Sequence, residues 1–114
     1  MVRTLRRFGF TRFLAGTDYN NERYPKLFSA PEEMQYLVEA GLTPLEALQA
    51  ATINPAKFLN GTDSLGTVAP GKLADLLLLD ADPLENISNV KQARAVVANG
   101  RYFDYAAIKE MNPD

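Results

Sequence analysis

The 114-residue sequence contains neither cysteine nor histidine. Without cysteine, the chain forms no disulfide and has no thiolate to act as a nucleophile or a metal ligand. Without histidine, it lacks the most frequent general base near neutral pH and the usual ligand of a catalytic zinc ion. The chain therefore carries, by itself, no site that depends on imidazole or thiolate groups.

The sequence also lacks a strong excess of charge and a long apolar run. A net charge of −2 argues against binding to nucleic acid or to a membrane surface. Four arginines and no acid stand in the first twelve residues, and we interpret them as an exposed helix face. Thr11 and Arg12 interrupt any apolar core of a secretory signal, and no run is long enough to span a membrane. We expect a cytoplasmic protein with no nucleic-acid or membrane partner.

The first half of the chain is predicted to be mostly helical. Val2 and Leu5 have the spacing of a short amphipathic helix, and residues 12–15 are predicted to form a short apolar strand that leads into a turn at Asp18. Three N-terminal capping signals then predict three short helices joined by tight turns. The signals are Ser29 with Glu32, Thr43 with Glu46, and Asn54 before Pro55. The predicted apolar stripes are Met34, Leu37 and Val38 on the first helix, and Leu45, Leu48 and Ala51 on the second.

The second half is predicted to be a run of short strands. Residues 66–68 and 74–79 have strand character on either side of a type II turn at Pro70-Gly71. Four consecutive leucines, residues 76–79, predict a strand that is buried on both faces, because a half-exposed strand would alternate. Ile87 is a single apolar anchor in a polar loop. A hairpin around Asn99-Gly100 follows, and then a last helix, capped by Asp104, that runs to residue 111.

The pattern divides the chain near residue 62 into two parts, residues 1–61 and 62–114. The first is rich in helices and the second in strands. One α/β unit cannot close a barrel, and three or four strands do not make a two-layer sandwich. We therefore expect an α+β fragment in which neither part is complete alone.

Asp18 is the strongest candidate for a reacting carboxylate. It follows a short apolar strand, and barrel and α/β enzymes place reacting groups at the carboxyl ends of such strands. The alternative is a turn aspartate that closes the strand. Tyr19, Tyr24 and Phe28 come soon after and could line a pocket beside it; the alternative is ordinary packing.

Two other patterns are interpreted as turns. Residues 66–72 match the start of a phosphate-binding loop, but Leu73 stands where a hydroxyl would bind Mg²⁺, and a strand follows instead of a helix. Asp80 and Asp82 could form a cation site, but acids beside Pro83 are typical of a solvated turn.

An ordered series of motifs covers roughly residues 10 to 104. The motifs are L-A-G-T-D at 14–18, L-V-E-A-G-L-T-P-L-E-A-L at 37–48, A-A-T-I-N-P-A at 50–56, L-G-T-V-A-P-G-K-L-A-D-L at 65–76, and the Asn99-Gly100 hairpin. Together they resemble the C-terminal end of an amidohydrolase-superfamily enzyme, in particular the imidazolonepropionase-like and prolidase-like metal-dependent hydrolases. Each motif alone is weak, whereas the ordered series at these spacings is specific.

The resemblance implies the last strand and helices of a (β/α)8 metal-hydrolase barrel, followed by the C-terminal strands of a small β-sandwich. It implies that Asp18 is a metal ligand and the general base of a parent enzyme that cleaves C–N bonds in amides, cyclic amides or dipeptides. The parent would hold a zinc-type divalent metal, with histidines as the other ligands. This chain has no histidine. The isolated chain is therefore expected to bind no cofactor and to be inactive.

Two kinds of partner are compatible with these expectations. An N-terminal polypeptide that carries the histidine ligands would complete the metal site. Alternatively, the chain is a stand-alone, non-enzymatic α+β module that forms a homo-oligomer through exposed strand edges.

Overall fold

The structure is a computed structural model, and it describes residues 1–17 and 29–111. This part of the chain is an α+β arrangement with one three-stranded antiparallel sheet. The helices are α1 (Val2–Arg7), α2 (Ala30–Glu39), α3 (Pro44–Ala51), α4 (Ile53–Phe58), a 3₁₀ helix (Ile87–Lys91) and α5 (Tyr105–Met111), and the strands are β1 (Leu76–Leu79), β2 (Ala93–Ala98) and β3 (Arg101–Asp104). The longest of these helices has ten residues, so no helix in the described ranges could cross a membrane.

Helices α2 and α3 begin at the two predicted capping boxes. The Thr43 amide donates to Glu46 Oε2 at 2.7 Å, and the Glu46 amide donates to Thr43 Oγ1 at 3.2 Å. Ser29 and Glu32 form the same reciprocal pair at the start of α2. Each box satisfies backbone donors that a helix start leaves unpaired, so the sequence signal and the observed helix starts agree.

The core lies where α2, α3 and the 3₁₀ helix meet. Its buried members are Met34, Leu37, Leu42, Ala47, Ala50, Ile87 and Val90. The predicted stripe on α3 was wrong for Leu45, which is exposed, whereas Leu48 and Ala51 are partly buried. Ala47 and Ala50 form the buried face of α3, and their small side chains allow α2 and α3 to approach closely.

Two further predictions in the helical part are corrected. Residues 12–15 form no strand, because the backbone there bonds to α3 and finds no neighbouring strand among the described residues. Helix α4 begins at Ile53 with Thr52 as its N-cap residue, so Asn54 lies inside the helix and does not cap it. Its side chain bonds to the carbonyl oxygen of Phe13 instead.

The segment between α4 and β1 is a loop, and the strand predicted at residues 66–68 is absent from it. The predicted turn at Pro70-Gly71 is present: Gly71 has a φ of +84°, and the Lys72 amide donates to the Ala69 carbonyl at 3.3 Å. A positive φ at the third position of a four-residue turn is what a type II turn requires.

The sheet has the order β1-β2-β3, with both pairs antiparallel. Leu77 lies opposite Val96, which in turn lies opposite Phe103. The predicted hairpin turn is confirmed by positive φ values at Asn99 (49°) and Gly100 (76°), as a type I′ turn needs.

Two further predictions, at Asp104 and Ile87, are confirmed. Asp104 Oδ1 accepts a hydrogen bond from the Ala107 amide at 2.9 Å, so it caps the first turn of α5 as expected. Ile87 is buried and joins the 3₁₀ helix to the core.

The prediction that β1 is buried on both faces was wrong. Leu77 is 51% exposed and Leu78 is 41% exposed, and these neighbours point to opposite faces of the sheet. The reason is long-range: β1 has one strand neighbour in the described part of the chain, and α5 packs on β2 and β3 instead.

Candidate active-site segment

The segment that leads to the candidate carboxylate is residues 13–17. Asp18 itself lies outside the described residues, as do Tyr19, Tyr24 and Phe28. The structure therefore bears on the site through the elements that fix the chain just before Asp18.

Two hydrogen bonds anchor this segment to the helices behind it. The Ala15 amide donates to the Ala50 carbonyl at 2.9 Å, and Asn54 Nδ2 donates to the Phe13 carbonyl at 3.0 Å. The side chains of Phe13 and Ala15 pack against the core, whereas Leu14 points outward. The backbone at residues 13–15 is thus held against the end of α3 and the first turn of α4.

Asn54 makes a long-range contact, to the Phe13 carbonyl, that the sequence pattern did not predict. Thr52 and Asn54 are both good capping residues, and the choice of Asn54 as the cap left no role for Thr52. In the structure Thr52 precedes the helix, which frees the half-buried amide of Asn54 for a contact 41 residues away. The signal that could have found it is the presence of two candidate caps two positions apart.

Helix α1 is held against α2 and α3 by two of its arginines. Arg3 Nη2 donates to the Glu39 carbonyl at 3.1 Å, and Arg6 Nε lies 3.1 Å from Glu46 Oε2. The pKa of Glu46 is lowered, first by the hydrogen bond from the Thr43 amide and then by Arg6. Two of the arginines near the N-terminus therefore bond to groups within the chain.

A second ion pair joins α2 to the 3₁₀ helix. Lys91 Nζ lies 2.7 Å from Glu32 Oε1, and the hydrogen bond from Lys91 is the main cause of a lowered pKa at Glu32. Both side chains are about a third or more exposed, so solvent screens the pair. The pair nevertheless connects the helical core to the segment that leads into the sheet.

Lys72, the lysine of the phosphate-loop pattern, bonds to its own loop. Its ammonium donates to the Thr62 carbonyl at 2.7 Å, to Thr67 Oγ1 at 2.6 Å and to the Leu65 carbonyl at 3.4 Å. The ammonium protons that a phosphate would need are therefore already donated to these three oxygens. The geometry agrees with our interpretation of residues 66–72 as a turn.

Asp82 also has a local role. Its Oδ1 accepts from the Leu84 amide at 2.8 Å, which is an Asx turn, and its carbonyl accepts from Asn89 Nδ2 at 2.8 Å. Within residues 1–17 and 29–111, no group of three or more acidic side chains is placed to hold a metal ion.

The sequence offers no imidazole or thiolate ligand for a zinc ion. A catalytic zinc ion takes about three protein ligands, most of them imidazole nitrogens. The sequence contains no histidine and no cysteine, and Asp18 would supply a single carboxylate. The remaining ligands would have to come from other polypeptide segments.

Comparison with known proteins gives a consistent result. Residues 2–101 match the sequence model of the Amidohydrolase family. The chain is 36% identical over 79 residues to adenine deaminase 2 of Jannaschia sp., which covers 68% of this chain and 13% of that protein. It is 36% identical over 94 residues to an adenine deaminase of Rubrobacter xylanophilus, which covers 78% of this chain and 15% of that protein.

A solved structure extends the similarity to the fold. The crystal structure of phenylurea hydrolase B is 34% identical and superposes with a TM-score of 0.76, over 93% of this chain and 26% of the hydrolase. The chain therefore spans about a quarter or less of the length of these proteins.

Proposed function

Since the chain belongs to the amidohydrolase family, we propose that it acts as the C-terminal segment of a metal-dependent hydrolase of C–N bonds. Residues 1–61 would supply the last strand and helices of a (β/α)8 barrel, and residues 62–114 the C-terminal strands of a small β-sandwich. The family match over residues 2–101 and the similarity to adenine deaminases and a phenylurea hydrolase support this role. We place the protein in the cytoplasm, where an absence of cysteine is compatible with the reducing conditions.

The structural observation that supports this role is the hydrogen-bonded backbone that precedes Asp18. Hydrogen bonds from Ala15 to Ala50 and from Asn54 to Phe13 hold residues 13–15, which precede Asp18 in the chain. Asp18 would be a metal ligand, and its carboxylate would accept a proton from the water that attacks the substrate carbon. A divalent metal of the parent family would activate that water.

The isolated chain is proposed to be inactive. Asp18 would be the one ligand that this chain contributes, and the histidines of the site would belong to an N-terminal polypeptide. Substrate choice would depend on that polypeptide as well. The proposal therefore names only the reaction, which is hydrolysis of a C–N bond.

A segment-swap chimera tests the proposal. This chain would replace the matching quarter of phenylurea hydrolase B, and metal content and hydrolysis of a phenylurea would be measured. We expect a folded, metal-containing chimera with measurable turnover. Asp18→Asn should lower that turnover by a factor of about 100 or more, the usual contribution of a general base.

The matched control is Asp63→Asn, which alters an exposed loop carboxylate and should leave turnover unchanged. A folded chimera without metal would contradict the role of the segment. Full activity of the Asp18→Asn chimera would contradict the role of Asp18.

We propose a second candidate on one specific observation, the exposure of Leu77 and Leu78 on β1. In this alternative the chain is a stand-alone, non-enzymatic module that associates with itself.

A further inference from the structure

Strand β1 directs half of its backbone groups to β2. The Ala74 carbonyl accepts from the Gly100 amide at 3.0 Å, and the Asp80 amide donates to the Gln92 carbonyl at 3.0 Å. Because backbone groups alternate in direction along a strand, the even-numbered residues from 74 to 80 all face the β2–β3 hairpin.

The odd-numbered residues face the opposite edge. The N–H and C=O groups of Asp75, Leu77 and Leu79 point away from β2, and no strand borders them in the described part of the chain. The edge ends at Leu73, whose amide donates to the Ser64 carbonyl at 3.0 Å. We call residues 75–79 the free edge; its centre is Leu77.

Residues 76–79 of the free edge have none of the features that usually block strand addition. Proteins protect such edges with proline, lysine or inward-pointing charges. Residues 76–79 are all leucine, and Leu77 and Leu78 expose apolar surface on opposite faces. The carboxylate of Asp75 is taken up by its own hairpin, since Oδ1 accepts from the Asn99 amide at 2.6 Å.

We propose that the free edge binds a second copy of this chain. The two β1 strands would pair antiparallel about a two-fold axis at Leu77 and form a continuous six-stranded sheet. Leu77 would lie opposite the partner's Leu77, and Asp75 opposite the partner's Leu79. All three residues of each copy would then pair both backbone groups, which gives six hydrogen bonds across the axis.

Symmetry and the number of paired backbone groups select this register. A two-fold axis requires that paired residues point to the same face, so the axis passes through a residue and not between two residues. An axis at Leu78 would pair Leu77 with the partner's Leu79 and leave Asp75 outside the ladder. With the axis at Leu77, no carboxylate lies directly opposite another, because Asp80 would face the partner's Ala74.

The contact would be small. It joins five residues of backbone and two exposed leucines from each copy, which falls among weak interfaces of less than about 1,200 Å². The dimer would therefore form reversibly and depend on concentration. This inference rests on the second candidate function, the self-associating module, and does not depend on the proposed hydrolase role.

Sedimentation equilibrium of the full chain tests the proposal. The apparent mass should rise from 12.6 kDa toward twice that value with concentration. Leu77→Lys alone and Leu77→Glu alone should each abolish the rise, because each puts two like charges opposite each other at the axis. An equimolar mixture of the two variants should restore it. The matched control is Val68→Lys, which alters a residue that is 84% exposed outside the sheet and should dimerise as the unchanged chain does.

Cysteine cross-linking checks the register, because the chain contains no other thiol. Leu77→Cys should form a disulfide dimer faster than Leu78→Cys, since residues paired in a ladder lie about 5.5 Å apart between Cα atoms, within disulfide range. Circular dichroism melting confirms that each variant is folded. A monomer at every concentration, a folded Leu77→Lys chain that still dimerises, or faster cross-linking of Leu78→Cys would overturn the proposal.

Discussion

The side chain of Asn54 reaches back 41 residues and donates a 3.0 Å hydrogen bond to the carbonyl oxygen of Phe13. This contact joins the first turn of α4 to the segment that leads to Asp18. A second bond, from the Ala15 amide to the Ala50 carbonyl, lies close by. Together they define how the N-terminal segment is held on the helical core.

We expect Asn54→Ala to destabilise the chain by about 1–2 kcal/mol, because the half-buried Phe13 carbonyl loses its donor. Urea unfolding followed by circular dichroism measures the change. Gln49→Ala is the control: its side chain is exposed on α3 and has no hydrogen-bond partner among the described residues. Equal unfolding midpoints for the two variants would contradict the anchoring role of Asn54.

The packing of Gly66 against α4 leads to a second prediction. A Cβ at Gly66 would lie 2.7 Å from the Cβ of Ala56 and 3.0 Å from the Cα of Ile53. Gly66 and Gly71 have nearly the same φ, +88° and +84°, but nothing lies within 4 Å of a Cβ at Gly71. Gly71→Ala should therefore cost about 1–2 kcal/mol for backbone strain alone, and Gly66→Ala about 3 kcal/mol or more.

Thermal and urea unfolding of the two glycine variants would be compared side by side. Because the backbone strain is shared, the difference isolates the close contact between the loop and α4. Similar losses in the two variants would show that the loop moves away from α4 without cost.

Acidification should remove the stabilisation that Glu46 provides. The pKa of Glu46 is lowered below its ordinary value of 4.5 by the Thr43 amide and by Arg6. A lowered folded-state pKa stabilises the fold above the unfolded-state pKa, and this contribution disappears as the pH falls through the folded-state pKa.

Glu46→Gln tests this dependence. The variant should be less stable than the unchanged chain at pH 7, and the two unfolding free energies should converge below the folded-state pKa of Glu46. Urea titrations across this range measure both curves. A difference that persists at the acidic end would mean that Glu46 stabilises the fold through packing and not through its charge.

Lys72 closes the loop that precedes β1. Lys72→Met keeps the apolar stem but removes the ammonium that bonds to Thr62, Leu65 and Thr67. We expect a loss of about 1–2 kcal/mol and faster amide hydrogen exchange in the loop. Lys57→Met is the control, since that lysine is exposed and its side chain pairs with no described residue. If Lys72→Met leaves the protection of the loop amides from hydrogen exchange unchanged, the role of Lys72 in closing the loop is contradicted.

Features set by neighbouring residues could be predicted from the sequence. The capping boxes of α2 and α3, the Asn99-Gly100 turn and the cap at Asp104 each depend on residues no more than about four positions apart. Their geometry follows from short-range hydrogen bonds, so the same residues specify it in most contexts.

Features set by distant packing could not be predicted in this way. The leucines of β1 are typical of a strand buried on both faces, yet Leu77 and Leu78 are exposed because β1 has one strand neighbour among the described residues. The role of Asn54 likewise depends on where the chain lay 41 residues earlier. The prediction that Asp18 is a metal ligand rests on the family resemblance, and it stays a prediction because Asp18 lies outside the described residues.

Zinc binding by the isolated chain most directly tests the claim that this segment holds only one ligand of a hydrolase site. After equilibrium dialysis against micromolar zinc, metal analysis should find far less than a zinc ion per chain. Asp18→Asn should leave both the zinc content and the melting temperature unchanged. A stoichiometric zinc ion that Asp18→Asn removes would contradict the claim, because it would show that the chain completes a metal site without histidine.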